Sequence, residues 1–132
     1  MRDSVLDSFA ALAFLFQEPG HEKVIEVLDK AAHAERPVFV TAPNWAELRY
    51  IVERKVGGSR WEDARRKLLA LPLQIVPADA LLAEAAGEIK ARCKMSLADA
   101  FAGALARKLD ADLYTGDPEF KAIEKDVRLV WL

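Results

Sequence analysis

Short, wholly apolar runs alternate along the chain with longer stretches in which apolar residues recur every three or four positions. The runs Ser4–Val5–Leu6, Val38–Phe39–Val40, Leu73–Gln74–Ile75–Val76, Leu113–Tyr114 and Val127–Leu132 predict five buried strands, three of them β-branched or aromatic in character. Between them the pattern predicts helices. Ser8–Gln17 is apolar almost all round, as a helix packed against a sheet is. His21–Ala34 carries Val24, Ile25, Val27, Leu28, Ala31 and Ala32 at helical spacing, with charges between them. A third helix starts after Thr41–Ala42–Pro43 and ends at Gly57–Gly58, a fourth runs from Ser59 through Leu71, a fifth over Ala78–Arg92 and a sixth over Ser96–Ala106. In the sixth, Ala98, Ala102 and Ala106 form one row with Gly103 beside it, so this helix can approach its neighbour closely. Asp117–Pro118 reads as an N-cap with proline at the first helical position, opening a short helix to Lys125. Strands separated by helical segments argue for a three-layer α/β fold with a mainly parallel sheet.

That architecture gives certain acids a shared address. In an open parallel sheet the ligand crevice lies outside the C-terminal ends of the strands. Asp7, Glu47 and Asp117 each follow a predicted strand directly, so they share that edge whatever the strand order. Each also has a plain structural reading: Asp7 and Asp117 as helix caps, and Glu47 as a first-turn acid favoured by the helix dipole. Asp99 stands apart, because it opens the second helix of its crossover and forms a capping box with Ser96. Asn44 shares the Glu47 face, three residues away.

Composition narrows the classes. A chain of 132 residues predicts one domain, 1–132, able to bury about two thirds of its unfolded surface. A single cysteine, Cys93, excludes an internal disulfide and a multi-cysteine metal cluster, and reads as a reduced structural thiol of a cytoplasmic protein. The longest apolar run, Phe9–Phe16, is far short of the ~20 residues of a membrane span, and Asp3 is a poor start for a signal peptide. His21 and His33 have no ligand partners at metal spacing and carry no assigned role. The formal charge of −2 provides no general field for nucleic acid, so a polyanionic substrate needs local cations, metal ions or both. The helix pair from Asn44 to Leu71, with Arg49, Arg54, Lys55, Arg60, Arg65, Arg66 and Lys67, is the most basic stretch, and Arg92 and Lys94 are further candidate phosphate contacts.

The segments VLDSFAALAF, NWAELRYIVER, SLADAFAGALA and TGDPEF, in this order and with Trp131–Leu132 at the end, resemble the PIN-domain nucleases. The likeness is closest to the VapC toxins of bacterial and archaeal toxin–antitoxin pairs, and it runs the full length of the chain. It implies a PIN-like sheet of order 3-2-1-4-5, and an acidic site at Asp7, Glu47, Asp99 and Asp117 with Glu119 as an auxiliary acid. Crowded carboxylates repel one another without cations, so such a site implies hard ions, Mg²⁺ or Mn²⁺. The resemblance also implies a metal-dependent endoribonuclease, an RNA substrate, a homodimer and a cognate VapB-type antitoxin. Phe9, the apolar face of the helix after Gly20, and Trp45 or Trp61 are candidate antitoxin contacts. Phe9 is a departure, since these toxins more often have a small polar residue after Asp-Ser; a change of pocket shape is expected there. Two alternatives share the acids. A PIN nuclease of RNA processing would carry all four, and the small chain with no additional domain favours the toxin. A response-regulator-like domain would need a lysine at the end of its last strand, which here ends Val130–Trp131–Leu132.

Overall fold

The computed structural model describes residues 1–132. Strands β1 (Ser4–Leu6), β2 (Val38–Thr41), β3 (Leu73–Val76), β4 (Asp112–Thr115) and β5 (Arg128–Trp131) form one sheet of order β3-β2-β1-β4-β5. All four pairings are parallel. The helices are α1 (Ser8–Phe16), α2 (His21–His33), α3 (Ala42–Val56), α4 (Gly58–Leu69), α5 (Ala80–Arg92) and α6 (Leu97–Leu109). This is the expected three-layer α/β architecture with the expected strand order.

Successive strand residues point to opposite faces, and that alternation divides the core. Val5 and Leu113 face α5 and α6, where Leu82, Ile89, Phe101 and Leu105 complete the largest apolar cluster. Leu6, Val38 and Val40 face α2, against Val24, Val27 and Leu28. A third cluster ties α1 to the α3–α4 pair through Ala11, Leu48, Val52, Trp61 and Leu68. No helix is long and apolar enough to cross a membrane.

Local chemistry sets the boundaries. Asp7, Thr41, Asp79 and Ser96 cap their helices by accepting backbone N–H bonds from Ala10, Asn44, Leu82 and Asp99. Gly57, at φ +94°, is the only residue between α3 and α4. The row of small residues on α6 does what its pattern suggests: a Cβ on Gly103 would lie 2.7 Å from the Ile123 side chain. The helix expected over Pro118–Lys125 is a 3₁₀ turn, Pro118–Ile123, a common form for a connector this short. Trp131, in the last of the strands expected to be buried, is half-buried on edge strand β5 and packs against the margin of the largest cluster.

Candidate metal centre

Asp7 leaves the end of β1 as the N-cap of α1 and is 1% exposed. One carboxylate oxygen accepts from the Ala10 backbone N–H at 2.8 Å, and the other accepts from the Thr115 hydroxyl. Thr115, fully buried at the tip of β4, also accepts the Asp117 backbone N–H at 3.0 Å. One hydroxyl thus locks the tips of two adjacent strands and the acids that follow them. Asp117 is half-buried and caps the 3₁₀ turn, accepting from the Glu119 N–H at 2.9 Å. Its cap role and its place at the sheet edge are therefore the same fact.

Asp99 reaches this edge from the first turn of α6 and is buried. Ser96 caps the helix by accepting from the Asp99 N–H at 3.1 Å, while the Asp99 carboxylate turns toward Asp117 and Glu119. Carboxylate oxygens of Asp99, Asp117 and Glu119 all lie within 4.8 Å of one another. Oxygens on opposite sides of a Mg²⁺ ion sit about 4.2 Å apart, so small side-chain rotations would bring these three into one coordination sphere.

Glu47 is not in that three-acid group. Helix α3 begins at Ala42, so Glu47 lies in the second turn and the first-turn dipole reading does not hold. Its carboxylate accepts from the Tyr50 hydroxyl at 3.3 Å, and its charge is felt by Asp99. Asn44, expected on the same face, is fully buried instead. It donates to Ser8 Oγ at 3.0 Å and accepts from the Thr41 hydroxyl at 2.5 Å, fastening the start of α3 to the start of α1.

Electrostatically the edge is strained. Burial pushes the Asp7 carboxyl from 3.8 up to about 7, the Thr115 and Ala10 hydrogen bonds hold it down in part, and the charges of Asp99 and Asp117 raise it further. Burial and then the Asp117 charge push Asp99 up to about 7 as well, with a smaller contribution from Glu47. Elsewhere the chain pairs its acids readily, as in Arg2–Asp112, Arg36–Asp3 and Lys30–Glu26. None of Asp7, Glu47, Asp99, Asp117 or Glu119 has such a partner. An all-oxygen donor set with no protein cation suits a hard divalent ion.

The matching family model, described as PIN domain, spans residues 4–126. The chain belongs to the PIN-domain family. Solved structures share its fold at low identity. The DNA-bound VapBC complex of Salmonella typhimurium matches at 17% identity, covering 98% of each chain, with a TM-score of 0.76. VapBC2 of Rickettsia felis, bound to a promoter DNA fragment, matches at 17% over 98% of each chain with a TM-score of 0.75. VapC20 of Mycobacterium tuberculosis, a sarcin-ricin loop cleaving toxin, matches at 21% over 91% of this chain and 94% of its own, with a TM-score of 0.69. No curated protein sequence matches this PIN domain.

Thr115 escaped the sequence reading; its only signal was a hydroxyl residue immediately before Gly116–Asp117 at a strand tip. Among the candidate contacts, Trp61 is 2% exposed, stacked edge-on against Trp45 at 5.3 Å, and belongs to the core. Arg92 is taken up by Glu88 at 3.0 Å.

Proposed function

We propose that this PIN domain is a metal-dependent endoribonuclease acting as the toxin of a VapBC-type pair, with Asp7, Glu47, Asp99 and Asp117 as its catalytic acids. The observation that carries this reading is the convergence of Asp99, Asp117 and Glu119 within 4.8 Å, beside a buried Asp7, with no protein cation to balance them. Asp99, Asp117 and Glu119 would hold a Mg²⁺ or Mn²⁺ ion, with Asp7 and Glu47 completing the charge around it. When bound, such an ion supplies the positive charge that activates a water and offsets the growing charge on a phosphodiester. The protein's own contribution is rigidity. Thr115 and the Ala10 N–H fix both oxygens of Asp7, the Glu119 N–H fixes Asp117, and burial keeps bulk water from screening Asp7 and Asp99, while half-buried Asp117 and exposed Glu119 stay open to solvent.

The fold shared with VapBC complexes supports a cognate VapB-type antitoxin as inhibitor, and the family resemblance implies a homodimer. A basic antitoxin side chain reaching this edge would replace the metal's charge. The test is direct. Purified protein incubated with RNA should cleave it in Mg²⁺ or Mn²⁺ and stop in EDTA; full cleavage in chelator would sink the mechanism. Expression alone should arrest growth and co-expression of the antitoxin should rescue it. Cleavage without growth arrest would instead make this an RNA-processing PIN nuclease.

A further inference from the structure

Two aromatic rings stand open beside the acids, where the core would ordinarily claim them. Phe9 is 44% exposed and Tyr50 is 43% exposed. Phe9 follows Ser8 in the first turn of α1, and its ring lies on Gly116: a Cβ on that glycine would sit 2.2 Å from the ring. The ring thus occupies the space a side chain would fill between Thr115 and Asp117. Tyr50 lies on α3, near enough to Asp99 to feel its charge. Its hydroxyl donates to Glu47 at 3.3 Å, and the Arg54 guanidinium lies 4.9 Å over one face of its ring. Neither ring is loose, since one is seated on a glycine and the other is held at its hydroxyl and on one face.

We infer that Phe9 and Tyr50 are stacking platforms for the two nucleobases on either side of the phosphate that is cut, one ring at the Asp117 end of the site and one at the Glu47 end. The inference rests on the nuclease reading above and adds how the substrate is positioned. Every base has a π face, and an aromatic ring takes it up without regard to sequence. Arg54, exposed beside Tyr50, meets the backbone of the same nucleotide, and its guanidinium extends the platform. The acids carry no attraction for RNA of their own, so stacking supplies the hold that charge does not.

The experiment uses a single-stranded RNA oligonucleotide bracketing the cut mapped in the wild-type digest, and two versions with an abasic site on either side of that cut. Phe9→Ser and Tyr50→Ala should each raise KM about tenfold on the intact RNA with little change in kcat, in line with the loss of one base–aromatic stack. Each should then be indifferent to one of the two abasic sites, the one that costs the wild type the same factor. Phe9→Tyr and Tyr50→Phe should restore KM, and the thermal shift on adding Mn²⁺ should match the wild type in both Phe9 variants, which leave every hydrogen bond to the acids in place. Losses that simply add, variant on abasic substrate, would overturn the inference while leaving the nuclease intact. So would an unchanged KM in Phe9→Ser with a shift to smaller particles in light scattering, which would give the ring to a protein interface. Absence of cleavage by the wild type in Mg²⁺ or Mn²⁺ would overturn the nuclease reading and this inference with it.

Discussion

The metal-free protein should lose stability as pH rises toward neutrality, through Asp7 and Asp99 together, and Asp7→Asn should remove the Asp7 share of that loss. Asp7 has an ordinary value of 3.8 and is held at about 7 in the fold, so the folded chain binds its proton more tightly than the unfolded one. A carboxyl raised in this way contributes its full stability below the lower value and loses it as pH climbs toward the upper one. Between about pH 5 and about pH 7 that is about two units at 1.36 kcal/mol each, or roughly 3 kcal/mol. No discount for solvent applies, because Asp7 is 1% exposed. For a domain of 132 residues this corresponds to about 10 °C in Tm. Asn keeps the shape but turns one acceptor into a donor facing the Thr115 hydroxyl, a cost of about 1 kcal/mol. In EDTA the two proteins should therefore melt close together at about pH 5, and the variant should melt well above the wild type at about pH 8. Adding Mg²⁺ at the higher pH should raise the wild type far more than the variant. Parallel melting curves across the whole pH range would refute the claim that Asp7 is a carboxylate held against its own charge.

Three further outcomes follow from the same geometry. Asp99→Asn should remain folded by circular dichroism and lose at least about a hundredfold in RNA cleavage, because its side chain faces Asp117 while the Ser96 cap holds its backbone N–H, which Asn keeps; a lowered Tm with cleavage intact would return Asp99 to the capping box. Thr115→Val should cost about 1–3 kcal/mol in urea melts and Thr115→Ser should restore most of it, since the buried Asp7 oxygen and the Asp117 N–H lose a shared partner. Gly20→Ala should destabilise by about 1–3 kcal/mol, because Gly20 sits at φ +93° with Leu132 only 2.5 Å from where its Cβ would be; wild-type stability there would show that the C-terminal residue is free to move aside.

Much of the molecule was legible because its signals are local. Five apolar runs and the caps at Asp7, Ser96 and Asp117 give most of the elements, and parallel pairing then sends Asp7 and Asp117 to one edge. What stayed hidden is tertiary. Nothing near Thr115 in sequence says that its hydroxyl will face an acid 108 residues away, and nothing near Phe9 says that its ring will lie on Gly116. Hydroxyl and glycine are both common at strand ends, so the residue types alone do not distinguish a bridge from a turn.

Asp99 is the instructive case, because the spacing that seemed silent does place it. Only Asp110 and Ala111 lie between the end of α6 and the start of β4. A two-residue connection forces the C-terminus of α6 to the edge where β4 begins. At 1.5 Å per residue, the thirteen residues of α6 then reach back about 20 Å, beyond the ~13 Å spanned by a four-residue strand. The first turn of α6 must therefore overhang the opposite edge, where β1 and β4 end, and Asp99 is in that turn. The fourth acid arrives at the site because of the shortness of the loop that follows its helix, not because of any signal in its own neighbourhood. Lengthening that loop by several Gly–Ser residues should accordingly loosen the register of α6 and weaken Mn²⁺ binding before it unfolds the sheet, a result readable as a reduced metal-induced shift in Tm.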